Sequence, residues 1–262
     1  MFRELLGRLR NGELNKDDWQ TLLTRSPSQA DQFRDAQRLF YDKKSVGEYN
    51  HKKLTELGAP IAVINAIHSG ANAALAKADD AGGLYPTVLL SEGADVMLTA
   101  NVWQQAGLCN GTAGVVYKFI YPDGQSPPNL PVAVLVNFPQ YNGPPFLPEH
   151  PKCVPIVPLT FEWDSKSRQQ LPLQLRYAIT IHKSQGQTLG KTVIDIGKSE
   201  ISSGCTFVAL SRLKTLKDGI LQPMTFERLQ SIGKAKRMAE RRNEERRLQQ
   251  LFDEVMNSIE SV

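Results

Sequence analysis

The chain has 262 residues, 41% of them apolar and 22% charged, with a formal net charge of +4. This composition excludes disordered and fibrous classes, and the length suffices for one large domain or two small ones. No apolar run approaches the ~20 residues of a membrane-spanning helix, so no membrane partner is expected.

Residues 1–29 read as a helical segment, with Phe2, Leu5, Leu6 and Leu9 on one face, then Trp19, Leu22 and Leu23 behind a helix start at Asp17-Asp18. After a break at Ser26-Pro27-Ser28, the spacing of Phe33, Ala36, Leu39 and Phe40 extends the helical reading toward residue 55. From Pro60 the text turns to β-branched alternation, and PIAVINAIH and VLLSEGADVMLTAN predict strands. Residues 112–173 hold short strands between Pro/Gly-rich loops, a pattern that predicts a small inserted β-barrel. Over 174–225, AITIH, TVIDIG, FVALSR and GILQP predict four strands of a parallel sheet covered by helices. Residues 226–262 predict a charged helix with an apolar stripe at Leu248, Leu251, Phe252, Val255, Met256 and Ile259. Its bland reading is a solvated helix, and its sharper one is a surface for a partner or for phosphates.

Cys109, Cys153 and Cys205 form no CxxC pair, and His150 with Cys153 lacks a second ligand pair. Neither a disulfide framework nor a metal site is expected. The stretch AITIHKSQGQTLGKTVIDIG contains Gly186 and then Gly190-Lys191-Thr192, close to a phosphate loop. Three residues separate the glycines where four are needed, and Lys191-Thr192 lead into strand-like text where a helix should begin. Thr180, His182 and Ser184 recur at spacing two, so an extended strand would point all three to one side, with Lys183 beside them as a donor-rich rim for phosphates. FVALSR ends an apolar run on Arg212, whose guanidinium suits a transferring phosphate. LTAN, with Thr99 and Asn101, and NGTAG, at 110–114, read as strand ends entering tight turns.

In this order, the pieces resemble the C-terminal half of a Pif-type helicase, in the RecD-like subclass of superfamily-one DNA helicases. AITIHKSQGQTL is similar to motif V, FVALSR to motif VI, AQRLFYDKKSVGEYN to motif IV, and GADVMLTANVWQQAGLCNGTAGVV to the stretch before an inserted barrel. The resemblance implies an α/β fold: a second RecA-like domain in two parts, 30–111 and 174–225, with an SH3-like β-barrel at 112–173 and a C-terminal helix at 226–262. It implies 5′-to-3′ unwinding of single-stranded or forked DNA, driven by ATP with Mg2+, in repair, recombination or telomere maintenance, and a nuclear location. Arg212 would be the arginine finger; Arg38, Gln185 and Gly186 would lie by the nucleotide. Thr99, Asn101, Thr180, His182, Lys183 and Ser184 would touch DNA. The family's G-A-R-V-M-L-T pattern has a basic residue where this chain has Asp95. The family's phosphate loop and acidic Mg-binding motif are absent from these residues. The chain alone is therefore expected not to hydrolyse ATP, and to be a fragment, a truncated gene copy or one part of a split system with a separate N-terminal half. Rival readings are a non-catalytic DNA- or RNA-binding module and a small phosphate-loop NTPase built on Gly186–Thr192.

Overall fold

The computed structural model describes residues 2–25, 32–200, 202–222, 225–234 and 236–260. In chain order, α1 (Phe2–Asn11), α2 (Lys16–Leu23), β1 (Gln37–Phe40) and α3 (Lys43–Glu56) come first. A β-rich run follows: β2 (Ala62–Asn65), β3 (Ile67–Ser69), β4 (Thr87–Leu90), β5 (Asp95–Leu98), β6 (Ala113–Ile120) and β7 (Ala133–Asn137). It continues through β8 (Cys153–Ile156), β9 (Leu159–Trp163), β10 (Lys166–Gln170) and β11 (Leu173–Leu175). The last elements are β12 (Ala178–Thr180), β13 (Thr192–Asp195), α4 (Cys205–Leu210), β14 (Gly219–Leu221), α5 (Phe226–Gly233) and α6 (Lys236–Glu260). They divide into two compact units, Met1–Val46 with Ala178–Val262, and Gly47–Tyr177.

The first unit is built on a four-stranded sheet of order β12-β1-β13-β14, parallel at every pairing. Leu39, Ile179, Val193, Ile194 and Ile220 are buried, the apolar content expected of a parallel sheet with both faces covered. The helical reading of Phe33–Phe40 is corrected here. Residues 37–40 form the strand β1, because β12 and β13 pair with it from both sides and override the spacing of Phe33, Ala36, Leu39 and Phe40, too few apolar positions to distinguish helix from strand.

The N-terminal helices are tied down by polar contacts. Asn15 Oδ1 accepts the Asp18 N–H at 2.9 Å, and the Asp18 carboxylate accepts the Asn15 N–H at 3.3 Å, a reciprocal cap of α2. Arg8 donates to both oxygens of the buried Asp18, at 2.8 and 2.6 Å. The Arg8 hydrogen bonds hold the Asp18 carboxyl below its ordinary range. Because the folded-state value is depressed, Asp18 stabilises the fold above the ordinary carboxylate range and loses that contribution as pH falls through its own lower value. Asp18→Asn is therefore expected to lower the urea unfolding midpoint at pH 7 and to shift it much less in strong acid; an equal loss at both pH values would contradict this coupling.

The second unit is antiparallel. One sheet runs β11-β5-β6-β7-β8, a second β3-β10-β9, and β2 pairs with β4. Its core includes Ile64, Leu98, Val134, Val136, Phe138 and Leu171. The strands of 112–173 therefore do not form a core of their own: β6 pairs with β5, and Ile64 and Leu98 belong to the same buried cluster as Val134. Among the described residues β11 and β8 stand at the ends of the five-stranded order. Arg168 is fully buried and donates to the carbonyls of Leu84, Ala73 and Ala76, each at 2.8 Å, fastening the irregular 70–84 segment onto β10.

Cys153 and Cys205 are buried, and burial pushes both thiols above their ordinary range, so neither is primed as a nucleophile. Among the described residues no group of three His, Cys, Asp or Glu side chains is gathered for a metal ion, and no helix is long and apolar enough to cross a membrane.

Candidate functional site

In open parallel sheets, ligands bind beyond the carboxyl ends of the strands. In the first unit, the adjacent strands β12 and β1 end together, and the Ile181 N–H donates to the Phe40 carbonyl at 3.0 Å. The strand does not stay extended past Thr180, contrary to the expectation that Thr180, His182 and Ser184 share one side. It tightens into a single 3-10 turn over His182–Ser184. The side chains close this turn: Thr180 Oγ1 accepts the Lys183 N–H at 3.3 Å, and Ser184 Oγ donates to the Ile181 carbonyl at 2.7 Å.

The turn sorts the predicted residues. His182 is exposed with Nε2 3.0 Å from Ser202 Oγ, Lys183 and Thr180 are half-buried, and Gln185 is exposed. Ser184 is 0% exposed, with its hydroxyl committed to the Ile181 carbonyl. Gly186 follows at φ +81°, a left-handed conformation that lets the chain turn sharply, with open space where a Cβ would stand.

Arg212 does not end a strand, as FVALSR suggested. Cys205–Leu210 is the helix α4, and Arg212 lies just past its end. A short apolar run is compatible with either state, and two tertiary features select the helix. Gly204 enters it at φ +83°, and the Glu200 carboxylate accepts the Thr206 N–H at 3.1 Å, satisfying a first-turn donor that a strand would not leave free. The guanidinium then folds back onto the turn after β12: Nη1 donates to the Gln187 carbonyl at 3.2 Å, Nε to Val208 at 3.0 Å and Nη2 to Ser211 Oγ at 2.9 Å. The Leu189 N–H donates to the Arg212 carbonyl at 2.9 Å, so main chain and side chain both join the two segments. Every one of these acceptors is neutral. Among the described residues no carboxylate pairs with Arg212, and its charge stays available to an anion.

Sequence reasoning missed the polar group beneath α4. Arg228 of α5 and Glu200, 5% and 9% exposed, form an ion pair at 2.7 Å. Thr206 Oγ1 donates to Glu200 at 2.6 Å, and Arg228 also donates to Thr206 Oγ1 at 3.2 Å. Glu200 and Arg228 are 28 residues apart, with no local pattern to join them.

The phosphate-loop reading is overturned. Thr192 is fully buried, donates to the Gly190 carbonyl at 2.9 Å and starts β13, so no helix N-terminus follows the glycines. Lys191 instead lies over the Phe33 ring at 5.6 Å and donates to the Gln32 carbonyl. Arg38 is in the same sheet, in register with Ala178 and Val193 and two residues short of the carboxyl end of β1.

Thr99 and Asn101 belong to the second unit. Asn101 is exposed, and its Oδ1 accepts the Asn110 N–H at 2.8 Å, while the Gly111 N–H donates to the Leu98 carbonyl at 2.9 Å; the LTAN and NGTAG turns are thus one structure. Thr99 is only 5% exposed, and its Oγ1 is buried without a hydrogen-bond partner. Asp95 opens β5 and is half-buried.

Residues 82–119 match the family described as DNA helicase Pif1, 2B domain. The chain is 35% identical over 201 residues to the ATP-dependent DNA helicase PIF1 of Danio rerio, and 34% identical over 186 residues to that of Homo sapiens. These matches cover 73% and 70% of this chain but 28% and 26% of the relatives, so the chain spans about a quarter of their length. The Candida albicans Pif1 helicase has the same fold, with a TM-score of 0.69 at 23% identity, over 93% of this chain and 57% of that one. The Bacteroides Pif1 helicase in complex with ADP-AlF3 and ssDNA gives a TM-score of 0.63 at 21% identity, over 87% of this chain and 50% of that one.

Proposed function

We propose that this chain is the C-terminal portion of a Pif1-type ATP-dependent 5′-to-3′ DNA helicase, the part that reads the γ-phosphate and grips the strand. The observation that carries this reading is Arg212, held against the turn after β12 by neutral acceptors and paired with no carboxylate among the described residues. A guanidinium so placed stabilises charge developing on a transferring phosphoryl group. Exposed Gln185 and Gly186 are suited to lie along the nucleotide, and Arg38 contributes positive charge from β1. Exposed His182 and Asn101, with half-buried Thr180 and Lys183, are suited to meet DNA phosphates.

The chain has neither a phosphate loop nor an acidic cluster for Mg2+ among its described residues, so those contacts fall to a first RecA-like domain. One short segment would then touch both ligands: Thr180, His182 and Lys183 on the DNA side, Gln185 and Gly186 on the nucleotide side. Closing around ATP would move the DNA contacts, which is the basis for coupling hydrolysis to translocation.

Two measurements test this. The isolated chain is expected to bind single-stranded oligonucleotides with an affinity that falls steeply with salt, and to hydrolyse no ATP. Exchanged for the matching segment of the Danio rerio helicase, it is expected to restore DNA-stimulated hydrolysis and unwinding. A folded chimera that binds DNA identically with and without ATP analogues, and never unwinds, would instead establish a non-catalytic nucleic-acid-binding module.

A further inference from the structure

In the second unit, residues 70–84 form a strap between β3 and β4, with 3-10 turns at Ala73–Leu75 and Ala78–Ala81 and no strand of their own. The Gly83 and Leu84 N–H groups turn back within the strap, onto the Ala78 and Ala81 carbonyls at 2.8 and 3.0 Å. What fastens the strap to β10 is the Arg168 guanidinium, donating to the carbonyls of Ala73, Ala76 and Leu84. The apolar side chains it buries are small, Ala73, Ala78 and Ala81, with Leu84 at its end. A segment with so little apolar area and no ladder bonds opens at lower cost than the sheet beneath it.

The strap lies on Thr99. Gly83 has φ +82°, and a Cβ there would stand 2.7 Å from the Thr99 carbonyl oxygen and 3.5 Å from Thr99 Cβ, so glycine is what lets the two segments approach. Thr99 Oγ1 is covered and has no hydrogen-bond partner among the described residues. A buried hydroxyl in that state destabilises the fold, and a valine of the same shape would not. Two residues further on, Asn101 stands exposed where the LTAN and NGTAG turns join. The strap itself carries exposed Asp79 and Asp80 against Lys77, a balance of −1. While in place it therefore repels phosphates from the hydroxyl it covers.

We propose that residues 70–84 are a strap that shuts Thr99 Oγ1 off from nucleic acid, and that lifts to let this hydroxyl donate to a phosphodiester oxygen. The inference rests on the DNA-binding reading above and adds its regulation: the closed strap holds one phosphate contact in reserve beside Asn101. Lifting opposes binding, so the apparent affinity is the intrinsic one reduced by the fraction of chains with the strap open.

The test is a mutant cycle on the full chain, read as affinity for a single-stranded oligothymidylate. Thr99→Val is expected to weaken binding about tenfold, the size of one hydrogen bond to a charged acceptor, while keeping or raising the thermal midpoint. Gly83→Ala, which pushes the strap off the Thr99 carbonyl, is expected to tighten binding at least about threefold, and to give no gain in the Thr99→Val background. Hydrogen exchange reads the strap in the unmodified chain, whatever the variants do to folding. The Gly83 and Leu84 amides are expected to exchange faster with the oligonucleotide bound, and those of β5 and β10 at the same rate as without it. Unchanged affinity in Thr99→Val, a Gly83→Ala gain that persists without the hydroxyl, or strap amides that exchange no faster in the complex would each overturn the proposal. An unmodified chain that binds no oligothymidylate at low salt is a different result: it overturns the DNA-binding reading, and the strap's role with it.

Discussion

Replacing Arg212 with alanine in the chimeric helicase is expected to cut DNA-stimulated ATP turnover by about 10³- to 10⁵-fold, the range associated with arginine fingers. The corresponding loss of transition-state stabilisation is about 4–7 kcal/mol. The physical basis is the pairing of a permanent charge with neutral acceptors. The Gln187 and Val208 carbonyls and the Ser211 hydroxyl orient the guanidinium, at 3.2, 3.0 and 2.9 Å, without cancelling it. Lysine cannot reproduce a planar fork fixed on one side and open on the other, so Arg212→Lys is expected to recover little of the rate. DNA affinity without nucleotide should hold for both variants. A decline of less than tenfold for the alanine variant, in a folded chimera that hydrolyses ATP otherwise normally, would remove Arg212 from the catalytic role.

The second large effect is structural. Glu200→Ala is expected to destabilise the first unit by about 3–5 kcal/mol, measured as the shift in urea unfolding, because it leaves the Arg228 charge buried without its partner. The loss is compounded at α4, where the Thr206 N–H and hydroxyl both lose the acceptor they share. Removing both charges together, as Glu200→Met with Arg228→Leu, should recover much of the stability, since a well-packed apolar pair avoids the desolvation cost. A shift below about 1 kcal/mol for Glu200→Ala would show that the ion pair is not structural. Arg212 stands directly after α4, so a loosened helix start should also lower turnover in the chimera with less effect on DNA binding.

Long-range stitching accounts for what the residues alone could and could not disclose. The strands PIAVINAIH, VLLSEGADVMLTAN, TVIDIG and GILQP were legible because β-branched runs bounded by turn residues are a local signal. The miscount between Gly186 and Gly190 was equally local, and it was enough to argue against a phosphate loop before Thr192 was found buried at the start of β13. QRLF and CTFVAL were not legible. Segments of four and six residues fit either secondary structure, and the decision came from β12 and β13 flanking one of them and from Glu200 capping the other. The same holds for the hydroxyls of the motif V segment. Spacing two places Thr180, His182 and Ser184 on one side only while the chain is extended, and the turn closed by Ser184 ends that condition at Ile181.

The sequence by itself determined the elements with strong local codes and, through the order of its motifs, the resemblance to Pif-type helicases. Tertiary structure alone decided which polar groups remain available. Ser184 is withdrawn by burial and its bond to Ile181, Thr99 Oγ1 is buried without a partner, His182 and Asn101 are left at the surface, and Arg212 is aimed by a carbonyl 25 residues away in sequence. Residue type fixes what a side chain can donate, whereas only the packed chain fixes whether that donor is already satisfied.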